Sequence, residues 1–323
     1  MITLQQIAQV STSNLKAGLV ENIIETCPVL AKIPFVEAPS LRYEWALQKT
    51  LAASGFRALN GNYAATNSTY DRGKIDLKPL GGRFELDRLL VDIPDFNRER
   101  FYETELRARA RSASMAFKRA MVKGNRANPA EFDGLQTWFE EGIVTTQVDM
   151  SAAGTTFTAL GGQGTLNKMH EFINSCIVIP DLILANRTII ANLAALSVAT
   201  AANSAFATYF QMSKMDIGNG RSISVGSFYG IPVVALDTDE NGDEVLGFDE
   251  ISPDGTSNTD CASMYAVCLG ENYFVGLQQV MSGPRVFEYT TSEGHKAVAV
   301  DWPAAIAIEH PRAVARLRGI RAA

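Results

Sequence analysis

The segment from Phe96 to Lys123 constrains this chain more than any other. Apolar side chains recur there at Tyr102, Leu106, Ala110, Ala113, Phe117 and Met121, and at about 100° per residue these fall on one side of a helix. Pro94 and Asp95 precede it, with Asp95 as the expected N-cap and Glu99 in the first turn, and Gly124 stands just past the end. A helix this long, with one apolar face, needs a partner layer. A second stripe, Arg100, Arg107, Arg111 and Lys118, runs along a separate side. The plain reading is a solvated face paired with Glu99, Glu103 and Glu105, but those acids lie only in the first third, leaving Arg107 to Arg126 without acidic neighbours in the local sequence. The expectation is a cationic rail whose partners lie elsewhere, on carboxylates of other chains or on a polyanion.

The residues upstream look extended. Met1 to about Ser40 reads as an arm with little core of its own: Leu15, Leu19, Val20, Ile23 and Ile24 suit a short amphipathic helix, Cys27-Pro28 breaks it, and Ile33-Pro34-Phe35 runs extended. From Leu41 to Asp92, Leu41, Tyr43, Trp45 and Leu47 alternate with polar residues, as do Ile75 and Leu77 on the return. Between them ASGFRALNGNYAATNSTYDRG is small and polar. This predicts a β-hairpin with a long tip, whose partners would lie on another subunit, since such a loop is unusual inside one compact domain.

Downstream, Gly154 to Gly164 reads as a glycine- and threonine-rich crossing, and Thr165 to Cys176 as helical. Asp181 to Ala185 predicts a buried strand before a helix starting near Asn186, the alternation of an α/β layer. SISVGSFYGIPVVAL and SMYAVCLG predict further strands around an acidic loop, Asp237 to Thr259, and extended runs follow to the end.

Composition adds bounds. Of 323 residues, 46% are hydrophobic and 20% charged, the profile of a folded protein, and the net charge of −6 argues against tight wrapping of nucleic acid without excluding a local basic surface. Cys27, Cys176, Cys261 and Cys268 fit neither a zinc spacing nor a disulfide framework, and read as thiols of a reduced compartment. No signal peptide and no run long enough to span a bilayer is visible, so a soluble, unexported chain is expected.

Motifs that invite catalysis are incomplete. His170-Glu171 begins like a zinc-protease helix, but position 174 is Asn. Asp237, Asp239, Asn241 and Gly242 open like a calcium loop, yet its twelfth position is Phe248, which carries no carboxylate. Gly161-Gly162-Gln163-Gly164 lacks the lysine of a phosphate loop, and His170, His295 and His310 are scattered. No catalytic, metal or cofactor residues are therefore nominated.

The order of arm, hairpin, long helix, glycine-ended joint, α/β domain and final extended segment resembles the major capsid proteins of tailed bacteriophages, the Hong Kong 97-like fold. The likeness is carried by Lys123-Gly124-Asn125 with Asn128 to Leu135 (NPAEFDGL), by Ile33 to Phe35, by SMYAVCLGENYFVGLQ and by VDWPAAIAIEHPRAVARLRGI. It implies an α+β protein with an N-arm over 1–40, an E-loop hairpin over 41–92, a peripheral domain with a spine helix over 93–149, an apical domain over 150–285, and C-terminal strands over 286–323 returning to the peripheral domain. Gly124 would release the helix from right-handed geometry, Pro129 would fix the exit direction, and Phe132, Gly134 and Leu135 would complete the joint. The resemblance further implies self-assembly as pentamers and hexamers into an icosahedral head around double-stranded DNA, first in the host cytoplasm and then in the virion, with no membrane. Portal and decoration proteins would be partners, and a separate scaffolding protein or none, since Met1 directly precedes the arm. Hairpin residues Arg57, Arg72, Arg83 and Asp87 are candidate inter-subunit contacts, and the basic stripe would face neighbours or DNA. Lys74 and Lys78 have no matching asparagine for a covalent crosslink. An encapsulin-type compartment shares the fold and is the alternative; an unrecognised α/β enzyme is the more distant one.

Overall fold

The computed structural model of the chain describes residues 2–3, 14–86, 98–198, 204–218, 221–279, 283–291 and 295–322. Its strands in chain order are β1 (Ile2–Thr3), β2 (Pro34–Ala38), β3 (Arg42–Thr50), β4 (Thr69–Asp76), β5 (Lys78–Leu86), β6 (Gln147–Asp149), β7 (Leu182–Ala185) and β8 (Phe210–Gly218). They continue as β9 (Arg221–Phe228), β10 (Ile231–Ala235), β11 (Cys261–Val267), β12 (Phe274–Gln279), β13 (Arg285–Thr290), β14 (Lys296–Ile308) and β15 (Val314–Arg321). Among the described residues these strands form three sheets. One has six strands in the order β1-β2-β12-β14-β13, with β5 also on β14; one has seven in the order β6-β15-β11-β7-β10-β9-β8; β3 and β4 pair alone as the hairpin.

The long helix spans Arg98–Lys123. Leu106, Ala110, Ala113, Phe117 and Met121 are buried along it, as the periodicity requires. Its partner layer is the six-stranded sheet: the Phe117 ring stacks on Trp302 of β14 at 5.2 Å and lies 6.4 Å from Phe35 of β2. Aromatic side chains of this size remove much apolar surface from water, which makes this contact the centre of the first core. The expected N-cap Asp95 lies outside the described residues.

The arm corrects its expectation. A helix at Asn14–Thr26 and a turn of helix at Val29–Lys32 lead into β2, which pairs in parallel with β12. Leu19, Val20, Ile23, Ile24, Val29, Leu30 and Phe35 are all buried, and the Ser114 hydroxyl of the long helix donates to the Ile23 carbonyl at 2.9 Å. The surface this part of the arm lies on belongs to its own chain.

The second core fills the seven-stranded sheet. β7 (LILA) and β11 (CASMYAV) are buried at every residue, as strands covered on both faces must be. Helices at Phe157–Ser175 and Arg187–Val198 cover it. The expected crossing at Gly154 to Gly164 is mostly helical instead: Thr156 caps the helix by accepting from the Ala159 N–H, and only Gly161, at φ 73°, breaks it. The last stretch, expected to return whole to the peripheral domain, divides. β13 and β14 join the six-stranded sheet, whereas β15 inserts between β6 and β11 of the other, because its residues Ala315, Leu317 and Ile320 belong to the second core.

Candidate functional site

The hairpin is fixed at its root and bare at its tip. At the root, Tyr43 donates to the Glu309 carboxylate at 2.7 Å, Trp45 stacks on Trp138 at 6.2 Å, and Arg42 donates to Asp76 at 2.7 Å. That last pair is well exposed, so it aligns the two strands more than it stabilises them. Ile75 and Leu77 are buried beneath. The alternation at Tyr43 and Trp45 foretold that these rings share a face; only the fold supplies Glu309 and Trp138. Beyond the root three apolar side chains stand open: Leu51 is 80% exposed, Leu59 95%, and Phe56 as open as in an extended peptide. The tip's hydrogen bonds are internal, among them the Ala52 N–H to the Ser68 hydroxyl and the Thr66 hydroxyl to the Ala53 carbonyl.

The four nominated hairpin contacts separate. Arg57 is exposed, donates to the Gly61 carbonyl at 3.0 Å and lies 5.2 Å from the Tyr63 ring. Arg72 faces Glu44 at 3.6 Å and Arg83 faces Glu85 at 3.6 Å, both largely in solvent. Asp87 lies outside the described residues.

The basic stripe departs furthest from its expectation. Arg107 pairs with Glu103 one turn away at 2.6 Å. Further along, Arg119 meets Glu131 at 3.1 Å and Asp239 at 3.7 Å, Lys123 meets Asp249 at 2.8 Å, and Arg126 meets Glu141 at 2.6 Å and Asp133 at 3.3 Å. The missing acids therefore come from this chain's own joint and acidic loop, at sequence distances that no local pattern reveals. Asp239 also accepts from the N–H groups of Asn241 and Asp243, so the calcium-like loop is a turn closed by its own carboxylate. Among the described residues no cluster suited to a metal ion occurs.

Lys118 is not part of a rail at all. It is 3% exposed, because the arm helix crosses the long helix at Ser114 and covers the position one turn on. It lines a cavity of about 330 Å³ with Cys27, Ile190, Val225 and the acidic residues Glu25 and Asp237. Burial pushes the neighbouring Cys27 thiol up to about 11, against the pull of the Lys118 charge. The long Lys118 stem packs beneath the arm helix, so Lys118→Met, similar in length and apolar, is expected to leave stability within about 1 kcal/mol of the wild type. A denaturant midpoint shifted further than this would contradict it. What is left of the stripe is Arg100, Arg107 and Arg111, all exposed.

The joint packs closely, and Gly124 serves it in a way other than the one the resemblance implied. Phe132 and Leu135 are buried, with Phe132 against Phe117 at 5.5 Å, and Pro129, exposed, offers its carbonyl to Lys78 at 2.9 Å. Gly124 has no left-handed φ. It is needed because the returning strand passes against it: the Gly134 N–H donates to the Gly124 carbonyl at 2.8 Å, and the Thr137 hydroxyl to the same oxygen at 2.7 Å. A short helix at Leu135–Glu140 then carries Phe139 to Tyr265 and Arg316 of the seven-stranded sheet.

No protein-family model matches this sequence, and no curated protein does either. Solved structures do resemble the fold. The encapsulin SrpI of Synechococcus elongatus aligns at 12% identity over 91% of this chain and 87% of its own, with a TM-score of 0.59. The capsid of a native GTA particle aligns at 15% identity over 90% and 89%, also at 0.59. Mycobacterium phage Ogopogo aligns at 13% identity over 90% and 91%, at 0.58. With about nine-tenths of its length matched, the chain has the Hong Kong 97-like α+β fold that these phage capsids and encapsulins share.

Proposed function

We propose that this chain is a major capsid protein, whose copies assemble as pentamers and hexamers into an icosahedral head enclosing double-stranded DNA. The observation that carries the reading is the hairpin: a root locked to the body and an apolar tip that no described residue of the same chain covers. A tip of this kind is a liability on a monomer, and it becomes an interface when it lies on the next copy. Burying Leu51, Phe56 and Leu59 would contribute about 1.5–3 kcal/mol each before ordering costs, repeated at every contact of a closed ring. Arg57 and Arg72 lie on the hairpin and can exchange their weak internal partners for carboxylates of a neighbour, whereas Arg83, on β5 of the six-stranded sheet, lies away from the tip. Arg100, Arg107 and Arg111 form the face available to such carboxylates or to DNA.

On this reading the chain works in the virion after assembly in the host cytoplasm, with a portal and separate scaffolding or decoration proteins as partners. It requires no catalytic group or cofactor. Electron microscopy and size-exclusion chromatography of the purified chain test it, with Phe56→Asp/Leu59→Asp as the comparison. The wild type is expected to give closed particles or capsomers, and the variant to lose them while keeping its circular dichroism and melting temperature. Equal assembly by the variant, or a wild type that stays monomeric at every concentration, would refute the proposal. Shells that protect protein cargo, with no nuclease-resistant DNA from infected cells, would favour the encapsulin-type compartment.

A further inference from the structure

We propose that Asn60-Gly61, at the hairpin tip, is a modification site: the asparagine loses ammonia through a succinimide, and the carboxylate that results disarms the tip for assembly. The pair ends a tight turn, Ala58 to Gly61, closed by the Gly61 N–H donating to the Ala58 carbonyl at 3.0 Å. Asn60, exposed, holds a left-handed φ of 65° at the third position of that turn, a place asparagine tolerates better than bulkier residues. Gly61 has no side chain to shield its nitrogen. The Arg57 guanidinium donates to the Gly61 carbonyl at 3.0 Å, so a positive charge sits on the residue that carries the attacking atom.

The steps balance without any other reactant than water. When the exposed turn opens, the Gly61 N–H is freed from Ala58 and hydroxide takes its proton, giving water. The nitrogen then attacks the side-chain carbonyl carbon of Asn60. A ring C–N bond forms, and the amide nitrogen leaves as ammonia with a proton drawn from water, which restores the hydroxide. Water next opens the succinimide. Attack at the side-chain carbonyl gives aspartate on the original backbone; attack at the backbone carbonyl gives isoaspartate, with the chain routed through the side-chain carbon. The net exchange is water in and ammonia out. A nearby cation favours the nitrogen anion on which the first step depends, and Arg57 supplies it.

The acidic loop carries a second such pair, Asn241-Gly242, in surroundings that oppose the reaction. There the Gly242 N–H donates to the Asp239 carbonyl at 3.3 Å, and the Asp239 N–H donates to the Asp243 carbonyl at 2.8 Å. The Asp239 carboxylate also accepts from the Asn241 and Asp243 N–H groups at 2.8 and 3.0 Å, so the turn is bolted shut. Glu240 and Asp243 flank the pair directly, and their charge disfavours an anion on the nitrogen. Asn219-Gly220 lies outside the described residues.

At the tip the product has consequences. A carboxylate at position 60 adjoins the exposed Leu59 and stands within reach of Arg57, which it draws into an internal ion pair; covering the tip then means burying charge. Isoaspartate also lengthens the backbone inside the turn, which the Gly61-to-Ala58 hydrogen bond does not survive unchanged. This consequence rests on the shell reading: a subunit that assembles early covers its tip and keeps Asn60, whereas one that waits ages out of assembly.

The test incubates the native full-length chain unassembled over a range of pH and follows each Asn-Gly by peptide mapping and isoaspartate methylation. Asn60 is expected to convert several-fold faster than Asn241, and faster as pH rises. Arg57→Gln is expected to slow it several-fold, as is Gly61→Ala, whose Cβ crowds the nitrogen and meets the Ala58 carbonyl oxygen at 3.2 Å. An Asn60 rate no higher than that of Asn241, or one unmoved by Arg57→Gln, would overturn the site. Asn60→Asp, viewed by electron microscopy, is expected to give several-fold fewer particles than the wild type, and equal assembly would overturn the disarming. A wild type that never assembles removes the shell reading and the disarming with it, while the conversion rates still decide the site.

Discussion

Replacing Arg316 with methionine is expected to cost about 3–5 kcal/mol of stability, the usual effect of leaving one partner of a buried ion pair uncompensated. Arg316 rises from β15 into the space between the seven-stranded sheet and the joint. Its guanidinium meets the Glu250 carboxylate at 2.9 Å, with the two side chains only 9% and 13% exposed. Its Nε donates to the Ser263 hydroxyl at 2.9 Å, and that hydroxyl donates in turn to Glu250. The rings of Phe139 and Tyr265 lie 6.0 and 5.9 Å from the guanidinium carbon. Methionine would replace the apolar stem and leave Glu250 buried with one hydroxyl for company. Glu250→Gln is expected to be damaging as well, since it strands the guanidinium, and the double variant Arg316→Met/Glu250→Leu to recover much of the loss because no charge then stays behind. Arg318→Met is the control: its pair with Asp149 is 28% and 42% exposed and is expected to matter by less than about 1 kcal/mol. Urea midpoints of the four proteins check the pattern. An Arg316 variant no worse than the Arg318 variant would show that the buried pair does not hold joint and sheet together.

That pair also marks where the sequence stops being readable. Periodicity places a side chain on a side of an element, so spacing alone assigns Leu106, Ala110, Phe117 and Met121 to a core, and Tyr43 and Trp45 to one hairpin face. It says nothing about what arrives to cover the other sides. Lys118 follows Arg111 by seven residues and shares its direction, yet one is buried and the other exposed, because the arm helix crosses between them. The same limit explains the carboxylates that answer Arg119 and Lys123, which come from Asp239 and Asp249 across the fold. Glu250 and Arg316 stand in stretches that read as an acidic loop and a terminal strand, and only the pairing of β11 with β15 brings them together. The joint lay between these cases. Its short motif was legible as a structural turn, and the reason for its glycines was not.

Gly134→Ala is expected to be among the most damaging single-methyl changes in the chain. A Cβ at position 134 would lie 2.5 Å from the Ala120 carbonyl oxygen, 2.7 Å from the Val122 oxygen and 2.7 Å from the Gly124 nitrogen. All three are backbone atoms of the last turn of the long helix and its end, held by hydrogen bonds such as Gly124 N–H to Ala120 at 2.9 Å, so none can swing aside as a side chain would. Relief requires the returning strand to lift, which breaks the Gly134-to-Gly124 hydrogen bond and the Thr137 cap on the same carbonyl, and withdraws Phe132 and Leu135 from the core. Overpacking alone costs about 1–3 kcal/mol, and the linked losses take the expected total above that range. Gly124→Ala meets the Phe132 oxygen at 2.3 Å and is expected to behave alike. Gly142→Ala separates steric from conformational effects: its φ is 69° but its Cβ would meet nothing within 4 Å, so its cost should be only about 1 kcal/mol. Denaturant midpoints rank the three, and the assembly assay adds a second axis. If the joint merely stabilises one subunit, the Gly134 variant should form normal particles below its lowered melting temperature. If the joint also sets the angle between the two sheets, particles should be misshapen or absent even where the subunit is folded, because a closed lattice multiplies a small angular error at every contact.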